Sequence, residues 1–461
     1  MKQLRLYLII IIPLLAAMIA VLYHGVQPHT TGAETAVHST YNISSVLTGA
    51  MHNPLATVLI QLIIILTAAK TLGWIFAKSG QQAVMGEIIA GILLGPSFLG
   101  LFFPDTFHTL FPKESILQLS ILSQLGLLIF MFVIGMELDI DALRSNISRS
   151  IVISHSSIVL PFLLGVTFAY FSYDSFGNKS HGFLAYGLFM GIAMSITAFP
   201  VLARILKERG MTTTPLGGLA LICAAIDDVT AWCILPIVVA ITKAESMTGV
   251  GVTVLLTIAF VVFMIFAVKP MLESYYQRRQ LASKGLGVDF ISVAIILHLA
   301  SALLSEVIGI HALFGAFIAG AVMPGSKALR HNLTERLEGV SVSMLLPVFF
   351  VMTGLRTTIG MINEGGLWPV FGMILLIATG GKLLGSALPA RWSGMTWSDS
   401  LSIGVLMNTR GLMELIVLNI GYDLGVLQPS VFTMMVFMAI ATTFMTAPLM
   451  NIIDRRKARM A

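Results

Sequence analysis

The sequence predicts an all-α, polytopic membrane protein, and its composition and hydropathy pattern both indicate this class. Hydrophobic residues make up 57% of the 461 residues, charged residues make up 11%, and the mean hydropathy is +0.92. Water-soluble proteins carry about a quarter charged residues, so this balance excludes them. The apolar residues form long continuous runs instead of the short alternating segments of an outer-membrane barrel, so helices are expected to cross the bilayer.

About thirteen apolar segments follow one another through most of the chain. We expect spans near 54–77, 82–103, 116–136, 150–172, 183–206, 215–242, 249–272, 288–305, 308–324, 337–355, 367–389, 398–421 and 430–452. Residues 1–23 fit either a cleaved signal peptide or an extra transmembrane helix, and residues 24–53 are interpreted as an external loop. The membrane domain then covers 54–454, and 455–461 is a basic tail. No attached soluble regulatory domain is expected.

Basic residues are concentrated in the loops on one side of these segments. This side carries Lys78, Arg144, Arg149, Lys207, Arg209, Arg278, Arg279, Lys284, Lys327, Arg330, Arg336, Arg391, Arg455, Arg456, Lys457 and Arg459. The opposite loops hold little more than Lys113, Lys179, Lys243 and Arg356. The positive-inside rule therefore predicts an integral protein of the cell (inner) membrane with a cytoplasmic C-terminus.

Two adjacent carboxylates, Asp227 and Asp228, lie near the middle of the segment 215–242. A carboxylate at this depth is costly, and it persists where it faces a protein cavity and has a partner or an ion. Neighbouring helix residues are turned about 100° apart, so the two side chains are expected to have different neighbours and different roles. The alternative, a helix-end pair at the membrane surface, conflicts with this central position.

Polar and helix-breaking residues interrupt the segment 183–206. Pro200 lacks an N–H and frees a carbonyl near Ile196, beside the hydroxyls of Ser195 and Thr197. An ordinary proline kink is the alternative. The segment 398–421 carries a second interruption around Gly411, with polar residues at Asn408, Thr409, Arg410 and Glu414. Interruptions at matching positions in two halves indicate inverted repeats with a binding site at the midplane.

A lysine, Lys382, lies two-thirds of the way along the segment 367–389. This depth demands a counter-charge, for which the aspartate pair is the candidate, although a snorkelling lysine is the alternative. Arg410 and Glu414 are four residues apart and are expected to neutralise each other. No Cys or His arrangement has metal-site spacing, Cys223 and Cys233 are expected to be free thiols, and no cofactor or nucleic-acid partner is expected.

Several motifs together resemble the monovalent cation:proton antiporter-2 family, which comprises sodium/proton and potassium/proton exchangers. The resemblance covers nearly all of 54–452 and is carried by 86–97 (GEIIAGILLGPS), 132–139 (FVIGMELD), 197–204 (TAFPVLAR), 225–228 (AIDD) and 408–419 (NTRGLMELIVLN). It implies the sodium/proton antiporter fold, in which two crossed broken helices lie beside the acidic pair. It also implies interleaved core and dimerisation subdomains and a homodimer.

The resemblance further implies roles for the buried charges. Asp228 corresponds to the carrier of cation and proton, and Asp227 to the partner of Lys382. Asp228 and Thr197, with Ser195 and freed carbonyls nearby, are the expected ligands of a monovalent cation. The combination of two aspartates and a lysine resembles electrogenic members, so electrogenic exchange of Na⁺ for H⁺ is expected.

Other functions remain open at this point. K⁺/H⁺ exchange is the main alternative, since no residue sets the size of the ion. An organic-anion transporter can share the fold but does not need Lys382 against Asp227. An intramembrane aspartyl protease needs its two aspartates on facing helices, whereas these are adjacent on one helix. An enzyme is therefore not expected. Stoichiometry, pH regulation and transport direction are not fixed by these residues.

Overall fold

The structure, a computed structural model, describes residues 53–79, 81–137, 147–211, 214–243, 247–281 and 288–460. The predictions for 1–23 and for nearly all of 24–53 lie outside these residues, as do those for Arg144 and Lys284 in the basic loops. The described part is almost wholly helical, and its single isolated bridge pairs Gly177 with Leu427.

The helices of the first half are numbered in chain order. They are α1 (Pro54–Lys78), α2 (Ala83–Leu94), α3 (Leu99–Phe102), α4 (Pro104–Leu110), α5 (Lys113–Glu137), α6 (Ile147–Phe176), α7 (Gly182–Ser195), α8 (Phe199–Glu208) and α9 (Pro215–Lys243).

The helices of the second half include two π-helical turns, Met264–Val268 and Ser341–Leu345. They are α10 (Met247–Phe263), α11 (Lys269–Leu281), α12 (Val288–Ile308), α13 (Ala312–Ala321), α14 (Lys327–Val340), α15 (Leu346–Leu355), α16 (Gly360–Glu364), α17 (Trp368–Trp392), α18 (Trp397–Met407), α19 (Leu412–Asp423) and α20 (Pro429–Met460).

The predicted polytopic helical class is confirmed. In the described residues, 10 helices are long and apolar enough to cross a membrane, and the pair α18 and α19, bent by 42°, makes up to 11. The predicted segments 183–206 and 308–324 contain the shorter apolar helices Gly182–Ser195 and Ala312–Ala321. Every predicted segment thus contains helix, but three of them, 183–206, 308–324 and 398–421, are not single full-length spans.

Three predicted boundaries need correction. The segment 308–324 is shortened because Gly309, at φ +99°, turns the chain between α12 and α13. The apolar span near 337–355 is Ser343–Asn363, since the residues before it belong to the polar helix α14. The last segment, predicted to end at 452, continues as helix because α20 runs to Met460 and includes residues 455–460 of the basic tail.

The helices pack in two groups. The acidic-pair helix α9 contacts α6, α7, α8 and α18 in one group, which also contains α17, α19 and α20, and it contacts α10 of the other group. The other group contains α1 to α5 and α10 to α15. A buried apolar cluster of α8, α9 and α18, which includes Val201, Ala224 and Met407, surrounds the middle of the first group.

Glycines in the motif 86–97 allow two helices of the second group to touch. A Cβ added at Gly91 of α2 would lie 2.2 Å from the carbonyl oxygen of Val351, and one added at Gly354 of α15 would lie 2.3 Å from that of Ile88. Real Cβ atoms do not approach backbone so closely. The motif therefore sets the distance between α2 and α15.

Replacement of Gly91 with Ala is expected to destabilise the protein by roughly 1–3 kcal/mol, because overpacking forces α2 and α15 apart. Thermal unfolding of the detergent-purified protein measures this. The control is Gly372→Ala in α17, where an added Cβ meets nothing within 4 Å, so a small gain from helix propensity is expected. Equal midpoints for the two variants would contradict the close-contact explanation.

Candidate functional site

The first helix break lies between α7 and α8. Helix α7 ends at Ser195, α8 begins at Phe199, and the three residues between them are not helical. Pro200 is the second residue of α8, where its missing N–H has no intrahelical partner to lose. The proline therefore starts a new helix, and the alternative of an ordinary kink in one continuous helix is wrong.

The second break, 408–411, crosses the first. The backbone N–H of Ala198 donates to the carbonyl oxygen of Thr409 at 3.0 Å, and the Thr197 hydroxyl donates to that of Met407 at 2.8 Å. Gly411 is required at the crossing, since a Cβ there would lie 2.6 Å from Cγ2 of Val201. The predicted fold with two crossed broken helices is confirmed.

Asp227 is fully buried and richly hydrogen-bonded. Its Oδ1 accepts from the hydroxyl of Ser154, and its Oδ2 accepts from Ser157 at 3.0 Å and from Thr197 at 2.8 Å. Lys382 Nζ lies 3.0 Å from the same Oδ2. Both oxygens of Asp227 therefore have protein donors.

Lys382 is 0% exposed and has an acceptor for each of its three N–H groups. Its Nζ lies 2.7 Å from Thr197 Oγ1, 3.0 Å from Asp227 Oδ2 and 3.5 Å from Ser157 Oγ. This depth excludes the alternative of a lysine that snorkels to the membrane surface. The ammonium group instead belongs to a buried ion pair.

Asp228 has a different environment from its neighbour. Its carboxylate lies near the backbone N–H of Phe199 at the start of α8, and its Oδ1 is buried without a hydrogen-bond partner among the described residues. Its side of α9 faces the helix crossing, and it is 8% exposed compared with 0% for Asp227. The unpartnered oxygen is available to a cation or a proton.

The two predicted hydroxyl ligands both donate their protons to protein acceptors, which leaves lone pairs on each oxygen. Thr197 Oγ1 accepts a hydrogen bond from Lys382 Nζ. Its own hydroxyl proton can be donated either to Asp227 Oδ2 or to the Met407 carbonyl oxygen, both at 2.8 Å. The Ser195 hydroxyl donates to the Ile192 carbonyl at 2.9 Å. In this arrangement Thr197 bridges the ion pair.

Arg410 holds the two breaks together. Its guanidinium donates to the carbonyl oxygens of Ala193 at 2.8 Å and Met194 at 2.6 Å, in the last turn of α7. Carbonyls there lack intrahelical partners, and a cation at a helix C-terminus is favourable. The backbone N–H of Arg410 also donates to Thr443 Oγ1 at 3.0 Å. These contacts give Arg410 a structural role.

The other polar residues of the second break differ in how well they are paired. The Thr409 hydroxyl donates to the Leu406 carbonyl at 2.6 Å. Glu414 Oε2 lies 3.5 Å from Arg410 Nη1, which is an ion-pair distance, but neither Glu414 oxygen has a hydrogen bond to any residue that the structure describes. Both amide atoms of Asn408 are also buried without partners in the described part of the chain.

Sequence reasoning missed Ser154 and Ser157 of α6, which contact Asp227. Their spacing of three residues places both hydroxyls on one face of a predicted span, and this pattern was the available signal. It was weak because serine in a membrane helix often bonds to its own backbone, as Ser157 also does to the Ser154 carbonyl at 2.8 Å.

The two directions away from Asp228 along α9 are closed to different degrees. Towards the C-terminal end of α9, Trp232, Leu235 and Val239 are at most 2% exposed on the same face. Towards the N-terminal end, Leu221 and Ala225 are half-buried. Trp232 also stacks on Phe317 of α13, with ring centroids 5.7 Å apart, and so joins the two helix groups.

A polar cluster joins the groups again near the same end. Arg356 Nη1 lies 2.9 Å from both Asp423 Oδ1 and Asn419 Oδ1 of α19, and Asn419 Nδ2 donates to Thr353 Oγ1 of α15 at 2.9 Å. These residues border a cavity of about 60 Å³ that is also lined by His311. We call Arg356, Asn419 and Asp423 the polar latch.

The fold and the site together define a secondary transporter with inverted repeats. The solved sodium proton antiporter MjNhaP1 from Methanocaldococcus jannaschii superposes with a TM-score of 0.59 over 88% of this chain and 98% of that one, at 14% identity. At this identity the likeness concerns the fold alone.

Sequence comparisons give the family. The description "Sodium/hydrogen exchanger, transmembrane" belongs to the family model that matches residues 62–452. The Na(+)/H(+) antiporter NhaS4 of Synechocystis is 43% identical over 403 residues, which are 86% of this chain and 97% of the relative. The chain belongs to the transmembrane sodium/hydrogen exchanger family and is an integral membrane protein.

Other relatives are longer. Cation/H(+) antiporter 17 of Arabidopsis thaliana is 39% identical over 87% of this chain but only 48% of the relative. K(+)/H(+) antiporter 1 of Saccharomyces cerevisiae is 31% identical over 87% of this chain and 47% of the relative. The chain thus spans about half of the length of these two relatives, and all of the relatives named are transporters.

Proposed function

We propose that this chain exchanges Na⁺ for H⁺ across the membrane by alternating access, with Asp228 as the carrier. The observation that carries this proposal is the contrast between the two aspartates. Asp227 has all its bonding positions occupied by protein groups, whereas Asp228 keeps an unpartnered oxygen beside the helix crossing. Similarity to a Na(+)/H(+) antiporter along almost its full length supports the choice of ions.

The cation and the proton compete for Asp228, and this competition couples the cation flux to the proton flux. Alkali cations favour oxygen ligands, which an ionised Asp228 and loosened carbonyls at the breaks supply. A carboxylate facing a closed site without a cation takes up a proton, because burial disfavours its charge. The site therefore crosses the membrane loaded with one ion or the other. The charge at Asp228 is neutralised in both cases.

Proton release from Lys382 makes each transport cycle move net charge across the membrane. When the cation enters, the pair of Asp227 and Lys382 opens, and a desolvated ammonium releases its proton. Thr197 is then free of Lys382 and joins Asp228 as a cation ligand, with Ser195 near the first break. Protons from both Asp228 and Lys382 against one cation make the cycle electrogenic.

The helix group that contains α9 is the mobile core in this proposal, and the group that contains α1 and α5 is the dimerisation subdomain of a homodimer. The basic loops, which include Arg209 and Arg391, face the cytoplasm of a cell whose inner membrane holds the protein. In this proposal one group moves past the other as a rigid body, and contacts between them such as the stacking of Trp232 on Phe317 rearrange.

K⁺ is the second candidate cation, because a yeast K(+)/H(+) antiporter is among the relatives. The deciding experiment uses the purified full chain in proteoliposomes with a trapped pH dye and imposes gradients of Na⁺, K⁺ and Li⁺ one at a time. Proton movement driven by Na⁺ at the lowest concentration is expected. Absence of proton movement with every alkali cation would reject the proposal.

The state described here is closed on the side of the polar latch, and the latch must open for the site to reach that side. Arg356→Gln is therefore expected to increase labelling of a cysteine placed at Leu235, in a variant without Cys223 and Cys233, by an impermeant thiol reagent added on that side. The ion pair of Arg356 with Asp423 is part-exposed, so its loss is expected to favour the open state by about 1 kcal/mol. This corresponds to a several-fold increase in the labelling rate.

The control for this measurement is Lys113→Gln at the start of α5, near the same membrane surface, which leaves the latch intact. Its labelling rate should equal that of the unsubstituted chain. An unchanged rate in Arg356→Gln would mean that the latch does not hold this side closed.

A further inference from the structure

We infer that Gln82 is a positioning residue for transport: its side-chain amide holds the helix after the first break against the other helix group, and it thereby favours the state that is closed on the side of the polar latch. This inference rests on the proposed function, because it concerns the movement that carries Asp228 across the membrane. Gln82 has no hydrogen bond to either aspartate or to Lys382 in the described chain, so it acts through α8.

A buried hydrogen bond joins Gln82 to the helix crossing. Gln82 Nε2 donates to the carbonyl oxygen of Val201 at 3.1 Å, and both residues are only 4% exposed. Val201 lies in the first turn of α8 and packs at the crossing itself, since a Cβ added at Gly411 would lie 2.6 Å from Val201 Cγ2. The bond therefore links α2 directly to the two crossed breaks.

This bond passes from one helix group to the other at an unusual place. In the described chain, the other hydrogen bonds and ion pairs between the groups lie near the loops of Lys243 and Arg356. They are Lys243–Glu306, Arg356–Asp423, Arg356–Asn419, Asn419–Thr353 and Thr358–Thr433. Gln82 instead follows the basic loop at Lys78, on the opposite side. The described state thus has several polar contacts on the latch side and this one beyond the crossing.

Helix α2 gives Gln82 a fixed base. A Cβ added at Gly86 would lie 2.5 Å from the backbone carbonyl of Leu72, so α1 and α2 are in close contact. Gln82 is the N-cap residue of α2, but its side chain makes no capping hydrogen bond. Shorter polar residues such as serine and aspartate are preferred at this position because they cap the helix. The longer glutamine side chain serves the contact with Val201 instead.

Movement of α8 past α2 breaks this bond. Hydrogen bonds from N–H to oxygen weaken beyond about 3.2 Å, so a relative shift of about one ångström is enough to lose it. A contact changes the balance between two states only if it differs between them. Because Gln82 bonds to Val201 in the described state, removal of its donor is expected to raise the population that is open on the latch side.

The test is the labelling of Leu235→Cys, in the variant without Cys223 and Cys233, by an impermeant thiol reagent added on the latch side in Na⁺-free buffer. Gln82→Met keeps the length of the side chain but has no donor. Its labelling rate is expected to rise about fivefold, the change in population for one net hydrogen bond. Gln82→Asn has an amide on a side chain too short to reach Val201, and it should behave alike. Unchanged rates in both variants would overturn the inference.

Two matched controls separate this role from a purely structural one. Gln81→Met alters the adjacent half-buried glutamine, whose side chain has no hydrogen bond among the described residues, and its rate should not change. Gln61 is fully buried and donates to the Leu110 carbonyl at 2.6 Å within one helix group. Gln61→Met should therefore lower the thermal midpoint without faster labelling. Labelling as fast in Gln61→Met as in Gln82→Met would contradict the assignment.

The failure of this inference is distinguishable from the failure of the proposed function, because labelling requires no transported ion. If Asp228→Asn abolishes exchange while both Gln82 variants label at the original rate, only the role of Gln82 is lost. If the chain drives no proton movement with any alkali cation, the proposed function falls. A fivefold increase in Gln82→Met would then still support Gln82 as a residue that holds the closed state.

Discussion

Replacement of Asp228 with Asn is expected to reduce cation-driven proton movement to the level of empty vesicles. Asparagine has almost the same shape, so the helix crossing is expected to persist. An amide neither takes up a proton near neutral pH nor balances the charge of a bound cation. Both halves of the exchange therefore fail together.

The measurement is dye dequenching in proteoliposomes after a Na⁺ pulse, with protein amount and thermal midpoint recorded in parallel. Asp105→Asn, on the exposed helix α4, is the matched control and should exchange normally. Residual exchange in Asp228→Asn above a tenth of the original rate would contradict the carrier role. It would direct attention to Glu414, whose oxygens are also unpartnered within the described chain.

Replacement of Lys382 with Met is expected to have the largest effect on stability and to change the charge moved per cycle. It leaves the buried Asp227 anion without its counter-ion, which costs roughly 3–5 kcal/mol when one partner of a buried pair is removed. In the double variant Asp227→Asn with Lys382→Met, no charge is left unpaired, so most of the stability should return.

Transport by this double variant separates charge coupling from folding. Only Asp228 then exchanges a proton, so one proton moves per cation and the rate should no longer respond to an imposed membrane potential. The matched control is Lys243→Met, whose pair with Glu306 at 2.8 Å is part-exposed and should contribute about 1 kcal/mol or less. Persistent voltage dependence in the double variant would exclude Lys382 as the second proton carrier.

The sequence predicted most accurately those features that depend on residues within a single segment. The apolar runs predicted helices at every segment, because a chain in lipid must satisfy its backbone hydrogen bonds within each span. The breaks near Pro200 and Gly411 could also be predicted, because proline, glycine and clustered polar residues are rare in uninterrupted spans. The errors fell at 308–324, at 337–355 and at the end of 430–452, where composition does not distinguish a full span from a short or surface helix.

The sequence by itself determined the class of protein, the number of apolar segments, the two helix breaks and the presence of buried charges at Asp227, Asp228 and Lys382. Each of these follows from the cost of placing a polar group in an apolar segment, which is a local property. Only the tertiary structure decided how the charges are paired. Hydroxyls from α6 and the crossing of two distant breaks decide which aspartate has hydrogen-bond donors at both oxygens. No spacing along the chain encodes those contacts.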